Sequence, residues 1–202
     1  MVIKMNNIIK FNLTELEKLN TPFANYILGR SYDLEENGAT QDYKKALQYY
    51  MKNFDSYPLS QYSVGMSYLY GLGNELEVNE EKGDTILKFA LPGLLQMQND
   101  ETLEPNERLY ATFVEAAYYN YGIGGVEQNL KRAREILERC SELGHIAAYY
   151  DLGYKYYKDG VGGTADLEKS ELYLRIAKNA GLKRAIEKYR EFGYSENSID
   201  RD

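Results

Sequence analysis

The chain of 202 residues has no tryptophan, one cysteine, one histidine and four prolines. A single cysteine, Cys140, excludes an intramolecular disulfide and fits a reducing compartment. A single histidine, His145, has no matched histidine or cysteine to complete a metal set, so it is a poor metal or catalytic candidate. Long apolar runs are missing too. Lys4 and Lys10 interrupt the opening MVIKMNNIIKFNLTELEKL, which lacks a continuous hydrophobic stretch and a small-residue cleavage site and does not read as a secretory signal. No other apolar run is long enough to span a bilayer. The simplest expectation is a cytoplasmic protein that binds no membrane. Positive charge is in deficit: 24 Lys and Arg against 31 Asp and Glu give a formal charge of −7. That balance argues against nucleic acid as a partner and favours a basic protein where electrostatics matter.

Tyrosine and glycine are abundant, with 21 and 17 residues, and their placement is periodic. In Ala148–Ala180, Ala148, Leu152 and Tyr156 recur four apart, as on one helix face. Gly153 interrupts that helical pattern at a cost of roughly 1 kcal/mol relative to alanine, which suits a position where another backbone approaches closely. A Gly160-Val161-Gly162-Gly163 loop follows, then Asp166 as an N-cap, a helix through Ala177, and Gly181 as a terminator. One hairpin of this size cannot bury its own apolar face and needs neighbours.

Three more copies supply them. The first begins at Ala24, behind Pro22, with Asp42 as cap and a loop reduced to Gly38; the second begins at Ser60, behind Pro58, with Gly71 and Gly73 in the turn and Asn79 as cap. The third begins at Ala111, with Gly122, Gly124 and Gly125 in the turn, Asn129 as cap and Leu143-Gly144 as its close. Pro92-Gly93 is expected to kink or end the second helix of copy two. The insertion LLQMQNDETLEPNE then separates copies two and three; it is expected to extend the preceding helix and then form a loop, with Pro105 opening the next helix. Two sets of landmarks give the same register. The pivots Gly29, Gly65, Ala116 and Gly153 are 36, 51 and 37 apart, and the caps Asp42, Asn79, Asn129 and Asp166 are 37, 50 and 37 apart. A period in this range means stacked helical pairs.

The expected architecture is an all-α, right-handed α-solenoid of about four helix-turn-helix repeats with a C-terminal capping helix. The boundaries read as a lead-in with a short helix over 1–20 and one solenoid domain over 21–193. Within the solenoid, the repeats span 22–57, 58–97, 104–144 and 145–181, the capping helix spans 182–192, and a polar tail follows over 194–202. Asn12 and Glu15 form a capping-box pattern before the short helix.

The pattern A-x-x-x-L-G-x-x-Y-x-x-G-x-G-V-x-x-D-x-x-K-A, carried by Ala24, Leu28, Gly29, Tyr32, Asp42, Lys45 and Ala46 in copy one and Ala148, Leu152, Gly153, Tyr156, Asp166 and Lys169 in copy four, is similar to the Sel-one-like repeat, a relative of the tetratricopeptide repeat. The chain departs from it at Ala116, Gly83 and Ser170, in the first loop and at the insertion. The resemblance implies a scaffold that binds other proteins on the concave surface made by the first helix of each pair. In the tetratricopeptide relatives, ligand-facing positions lie three before, one after and four after the pivot. Carried over, these are Tyr26, Arg30 and Asp33; Tyr62, Met66 and Leu69; Phe113, Ala117 and Asn120; and Tyr150, Tyr154 and Tyr157. The offsets share one helix face, distinct from that of the pivot. Tyrosine, methionine and arginine are the residues that interface cores favour.

No catalytic, cofactor or metal constellation emerges. The glycine clusters recur once per repeat, follow no strand pattern and lack a Gly-Lys-Ser/Thr ending, so they are turns and not phosphate loops. Glu75, Glu77, Glu80, Glu81 and Asp84 lack calcium-loop spacing and suit a helix start. Cys140 reads as a small buried helix residue. The leading expectation is a non-enzymatic protein–protein interaction module, a monomer or weak homo-oligomer. Its most specific version is a cytoplasmic immunity or antitoxin-type protein that neutralises a basic toxin or effector domain. An adaptor that assembles a signalling, envelope or secretion complex is the alternative, and a small-molecule or enzymatic groove is the expectation of another class.

Overall fold

The computed structural model describes residues 9–194, which form ten α-helices, one π-helical stretch and no β-strand. A short helix, α1 (Leu13–Leu19), leads in behind Asn12, whose side chain accepts from the Glu15 amide. Four helix pairs follow: α2 (Pro22–Leu34) with α3 (Tyr43–Met51), α4 (Pro58–Tyr70) with α5 (Glu80–Asn99), α6 (Pro105–Tyr121) with α7 (Leu130–Glu142), and α8 (Ile146–Asp151), extended by a π stretch (Leu152–Tyr157), with α9 (Leu167–Asn179). Helix α10 (Lys183–Glu191) packs on the last pair. The chain is an all-α solenoid of stacked helical hairpins.

Each hairpin is fastened by its cap residue, which is bonded twice. The side chains of Asp42, Asn79, Asn129 and Asp166 accept from the amides of Lys45, Lys82, Arg132 and Lys169, each at 2.9 Å, and so satisfy one free donor of the second helix. The backbone amide of the same residue donates back to the end of the first helix: to Tyr32 (2.9 Å), Tyr68 (2.7 Å), Tyr119 (2.8 Å) and Tyr157 (2.8 Å). The acceptor lies three residues past the pivot in the first three hairpins and four past it in the fourth, where the π stretch takes up one more residue of the first helix. One residue per hairpin, an Asp or an Asn, thereby starts the second helix and ties it to the first.

The pivots explain how the paired helices approach. A Cβ on Gly153 would lie 2.9 Å from the Leu174 amide nitrogen and 3.0 Å from the Ser170 carbonyl. Ser170 stands where Ala46 and Ala133 stand in other copies, and its hydroxyl donates to the Gly153 carbonyl at 2.8 Å. The second hairpin has glycine on both sides, Gly65 facing Gly83, and a Cβ on Gly83 would meet the Gly65 carbonyl at 2.8 Å.

Several expectations are corrected. Pro92-Gly93 does not end α5, which continues through Asn99. Pro92 and Lys88, whose carbonyl loses its amide partner, are both exposed, and Gly93 leaves room for the Pro58 ring against the helix. The insertion extends the preceding helix as expected, burying Leu94 and Met97 in the core, and a loop then leads to Pro105. In the shortened first loop, Glu35 (φ 54°) and Asn37 (φ 54°) adopt the left-handed conformations that glycines supply elsewhere. Tyr194, assigned to the polar tail, packs on Tyr189 and Phe192, and its hydroxyl pairs with Ser170 at 2.9 Å. The rest of the tail, 195–202, and residues 1–8 of the lead-in lie outside the described residues.

Replacing Gly83 with alanine should lower stability by about 1–3 kcal/mol through overpacking against backbone atoms, despite the roughly 1 kcal/mol of helix propensity gained. Urea unfolding of Gly83→Ala checks this; an unchanged or raised midpoint would contradict the close approach.

Candidate functional site

The solenoid curls until its last helix meets its first repeat. Glu36, just past α2, accepts from two arginines far apart in sequence. Arg30 donates Nη2 to Oε1 at 2.8 Å and Nε to Oε2 at 3.3 Å; Arg184 of α10 donates Nη2 to Oε1 at 3.0 Å. Beside them, Lys183 reaches Glu35 at 2.7 Å. Ile9 and Phe11 also bridge the closure, donating to the Gly144 carbonyl and to Asn37 Oδ1, both at 3.4 Å. The first helices of the pairs and α10 thus enclose a concave groove of about 400 Å³. It continues into a second depression of about 270 Å³ between repeats one and two, and the two share Arg30, Leu34, Tyr62 and Met66.

Of the positions singled out in the sequence, Arg30, Tyr62, Met66, Phe113, Ala117, Asn120, Tyr150 and Tyr154 line the main groove, and Asp33 lines the second depression. Three positions line neither. Tyr26 is fully buried in an aromatic cluster with Phe23 and Tyr50 of its own repeat and Tyr110 of α6. Leu69 packs between α4 and α5, its backbone nitrogen 2.9 Å from where a Gly83 Cβ would sit. Tyr157 is 2% exposed. The wider i→i+5 turn carries it off the Tyr150–Tyr154 face, where its ring packs edge-on to Tyr173 and its hydroxyl donates to Glu138 at 3.1 Å.

The groove also holds residues that the repeat offsets do not reach, among them Tyr121, Asp151, Lys155 and Arg184. Arg184 comes from the capping helix, for which the repeat pattern supplies no ligand-facing position. Asp151 and Lys155 are four residues apart, an ion-pair spacing on an α-helix. Among the described residues, however, no ion pair joins Asp151 to a cation, and Lys155 donates instead to the neutral Asn120 Oδ1 at 2.8 Å. Partial burial lifts the Asp151 carboxyl to about 6, against the pull of Arg184 and Arg30. Asp33 is also raised by burial, while the Tyr50 hydroxyl donates to it at 3.1 Å.

His145 is structural. It caps α8, its Nδ1 accepting from the Ala148 amide at 3.3 Å, and its ring stacks on Phe113 at 4.1 Å. Burial and the nearby arginines hold its pKa well below the ordinary value, so the ring is neutral. Cys140 is fully buried, and desolvation pushes its thiol up to about 12, so it carries no reactive thiolate. Among the described residues, no three of His, Cys, Asp and Glu gather to hold a metal, and no helix is long and apolar enough to cross a membrane.

The Sel1 repeat family model matches residues 22–52, 58–83, 114–145 and 146–182. The chain belongs to the Sel1 repeat family. Its Sel1 repeats make it a protein–protein interaction module, and the family generally serves as non-enzymatic scaffolds. Chitin synthase regulatory factor 1 of Schizosaccharomyces pombe is 30% identical over 155 residues, covering 76% of this chain and 30% of that protein. The crystal structure of a Sel1 repeat protein from Oxalobacter formigenes matches 89% of this chain and 48% of its own at 22% identity, with a TM-score of 0.41. That of c5321, a protective antigen present in uropathogenic Escherichia coli strains, matches 91% and 45% at 20% identity, with a TM-score of 0.36. The chain thus spans under a third of the curated relative and under half of each of these solved structures.

The raised carboxyl of Asp151 has a signed consequence. The folded state holds its proton more tightly than the free side chain (3.8), so Asp151 erodes stability as pH rises from about 4 through 6. Asp151→Asn should raise the melting temperature at pH 7.5 by about 2–6 °C, and the gain should shrink to nothing at the acid end of that window. Thermal unfolding of both proteins across that range measures it; a gain independent of pH would assign the effect to something other than this carboxyl.

Proposed function

We propose that the concave groove is where this module holds its protein partner, and that the partner is a single protein whose activity the complex blocks. The observation that carries this is the aromatic wall of Tyr62, Tyr150 and Tyr154, half-buried on the groove face with the hydrophobic anchors Met66 and Phe113 beside it. Tyrosines left on a concave face, after so many others are consumed between helices, supply large contact area at low ordering cost. In its most specific form the protein is a cytoplasmic immunity-type protein that caps a toxin or effector domain. The net charge of −7 supports a basic surface on that domain outside the groove.

A second reading, a regulatory adaptor, is favoured by the name of the fission-yeast relative, Chitin synthase regulatory factor 1. The two readings differ in what they capture. Affinity capture from the native cytosol with the wild-type chain and with Tyr62, Tyr150 and Tyr154 changed to alanine should yield one dominant protein that only the wild type retains. The captured protein, expressed alone, should arrest growth, and co-expression of this chain should relieve the arrest. Several non-toxic proteins, lost together from the variant, would establish the adaptor instead. A partner retained by a folded triple variant would refute the groove as the binding face.

A further inference from the structure

We propose that the groove takes an acidic segment of its partner, with a ligand carboxylate set between Lys155 and Arg184 and its neighbours laid against Tyr150 and Tyr154. This rests on the reading of the groove as the partner-binding face and adds the chemistry of what enters it.

Local charge runs against global charge. Three cations, Arg30, Lys155 and Arg184, line the main groove, with one carboxylate, Asp151. Glu36 lies beneath, and its single charge is shared by both guanidinium groups, at 2.8 and 3.0 Å, so one arginine charge is left unmatched. Lys155 touches only the neutral Asn120 amide and aromatic faces, with its Nζ 5.6 Å from the Tyr121 ring centre. The buried Nε of Arg184 has no acceptor, while its guanidinium lies 4.8 Å over the Tyr150 ring. Asp151 makes no ion pair, and burial raises its carboxyl to about 6, so its charge is present at pH 7.5 and fades toward pH 5.5. Asp33, the other nearby carboxylate, faces the second depression and is occupied by the Tyr50 hydroxyl. The lobe formed by repeats three and four and the capping helix therefore has two cationic donors, Lys155 and the Nε of Arg184, that bond no carboxylate, flanked by stacking surfaces. An aspartate or glutamate beside an aromatic or aliphatic residue satisfies both.

A display library of random dodecapeptides, panned against the full chain at pH 7.5, tests this with two neutralising variants, both checked for folding by circular dichroism. Enriched peptides should be rich in Asp and Glu. Lys155→Gln should weaken them about tenfold, the loss of one charge-assisted contact. Asp151→Asn should strengthen them several-fold and flatten the pH dependence, since Asp151 faces Arg184, Arg30, Lys155 and Glu36 and the wild type should bind acidic peptides more tightly at pH 5.5 than at 7.5. A purely structural role for these side chains would not produce opposite signs at positions four residues apart. Basic or uncharged peptides that need Tyr154 yet ignore Lys155→Gln would overturn the acidic-segment proposal and leave the groove reading standing. A library yielding no peptide sensitive to Tyr154→Ala would count against both.

Discussion

Glu36 holds the two ends of the solenoid together. A quasi-one-dimensional stack fixes each hairpin against its neighbour but does not by itself bring the last repeat to the first. Here one carboxylate, about one-tenth exposed, accepts from Arg30 six residues before it and from Arg184, 148 residues after it. Two buried charges are tolerable only when paired and hydrogen-bonded, and removing one partner of such a pair typically costs about 3–5 kcal/mol. The clasp turns an open arc into an enclosure, so that residues of four repeats and a terminal helix share one groove.

The groove's character follows from residues that the repeat does not specify. Pivots, caps and the tyrosines three past the pivot are consumed in making hairpins. The variable positions between them decide what the concave face offers, and here they offer aromatic walls with an excess of cationic donors. The acidic character of the chain as a whole belongs to the outer surface and the loops. Two partner chemistries thus coexist on one small protein, a negative exterior and a locally positive interior, and a partner that engages both would be read for charge twice.

Much of the fold was legible in the sequence because its landmarks are local. An Asp or Asn before a helix has a physical duty there, and four of them at matching intervals located the hairpins and the insertion. The pivot offsets lead to groove-lining positions where the helix is a regular α-helix, as at Arg30, Met66 and Asn120. They lead away from the groove where other geometry intervenes: at Tyr157 in the π stretch, at Leu69 beside the Gly65–Gly83 contact, and at Tyr26 in its aromatic cluster. Pro92 does not end its helix, since its exposure on a long helix makes a missing hydrogen bond tolerable. Arg184 and Glu36 could not be paired by any periodicity, because their contact depends on the curvature accumulated over the whole array.

The clasp is therefore the claim to test, through a double-mutant cycle on Glu36 and Arg184. Urea unfolding of the wild type, Glu36→Gln, Arg184→Gln and the double variant isolates their interaction from effects that each change has alone. The account predicts a coupling of about 1–2 kcal/mol between residues 148 positions apart. Losses that simply add, to within about 0.3–0.5 kcal/mol, would mean that the ends of the solenoid are not held together in solution and that the groove is not enclosed as described.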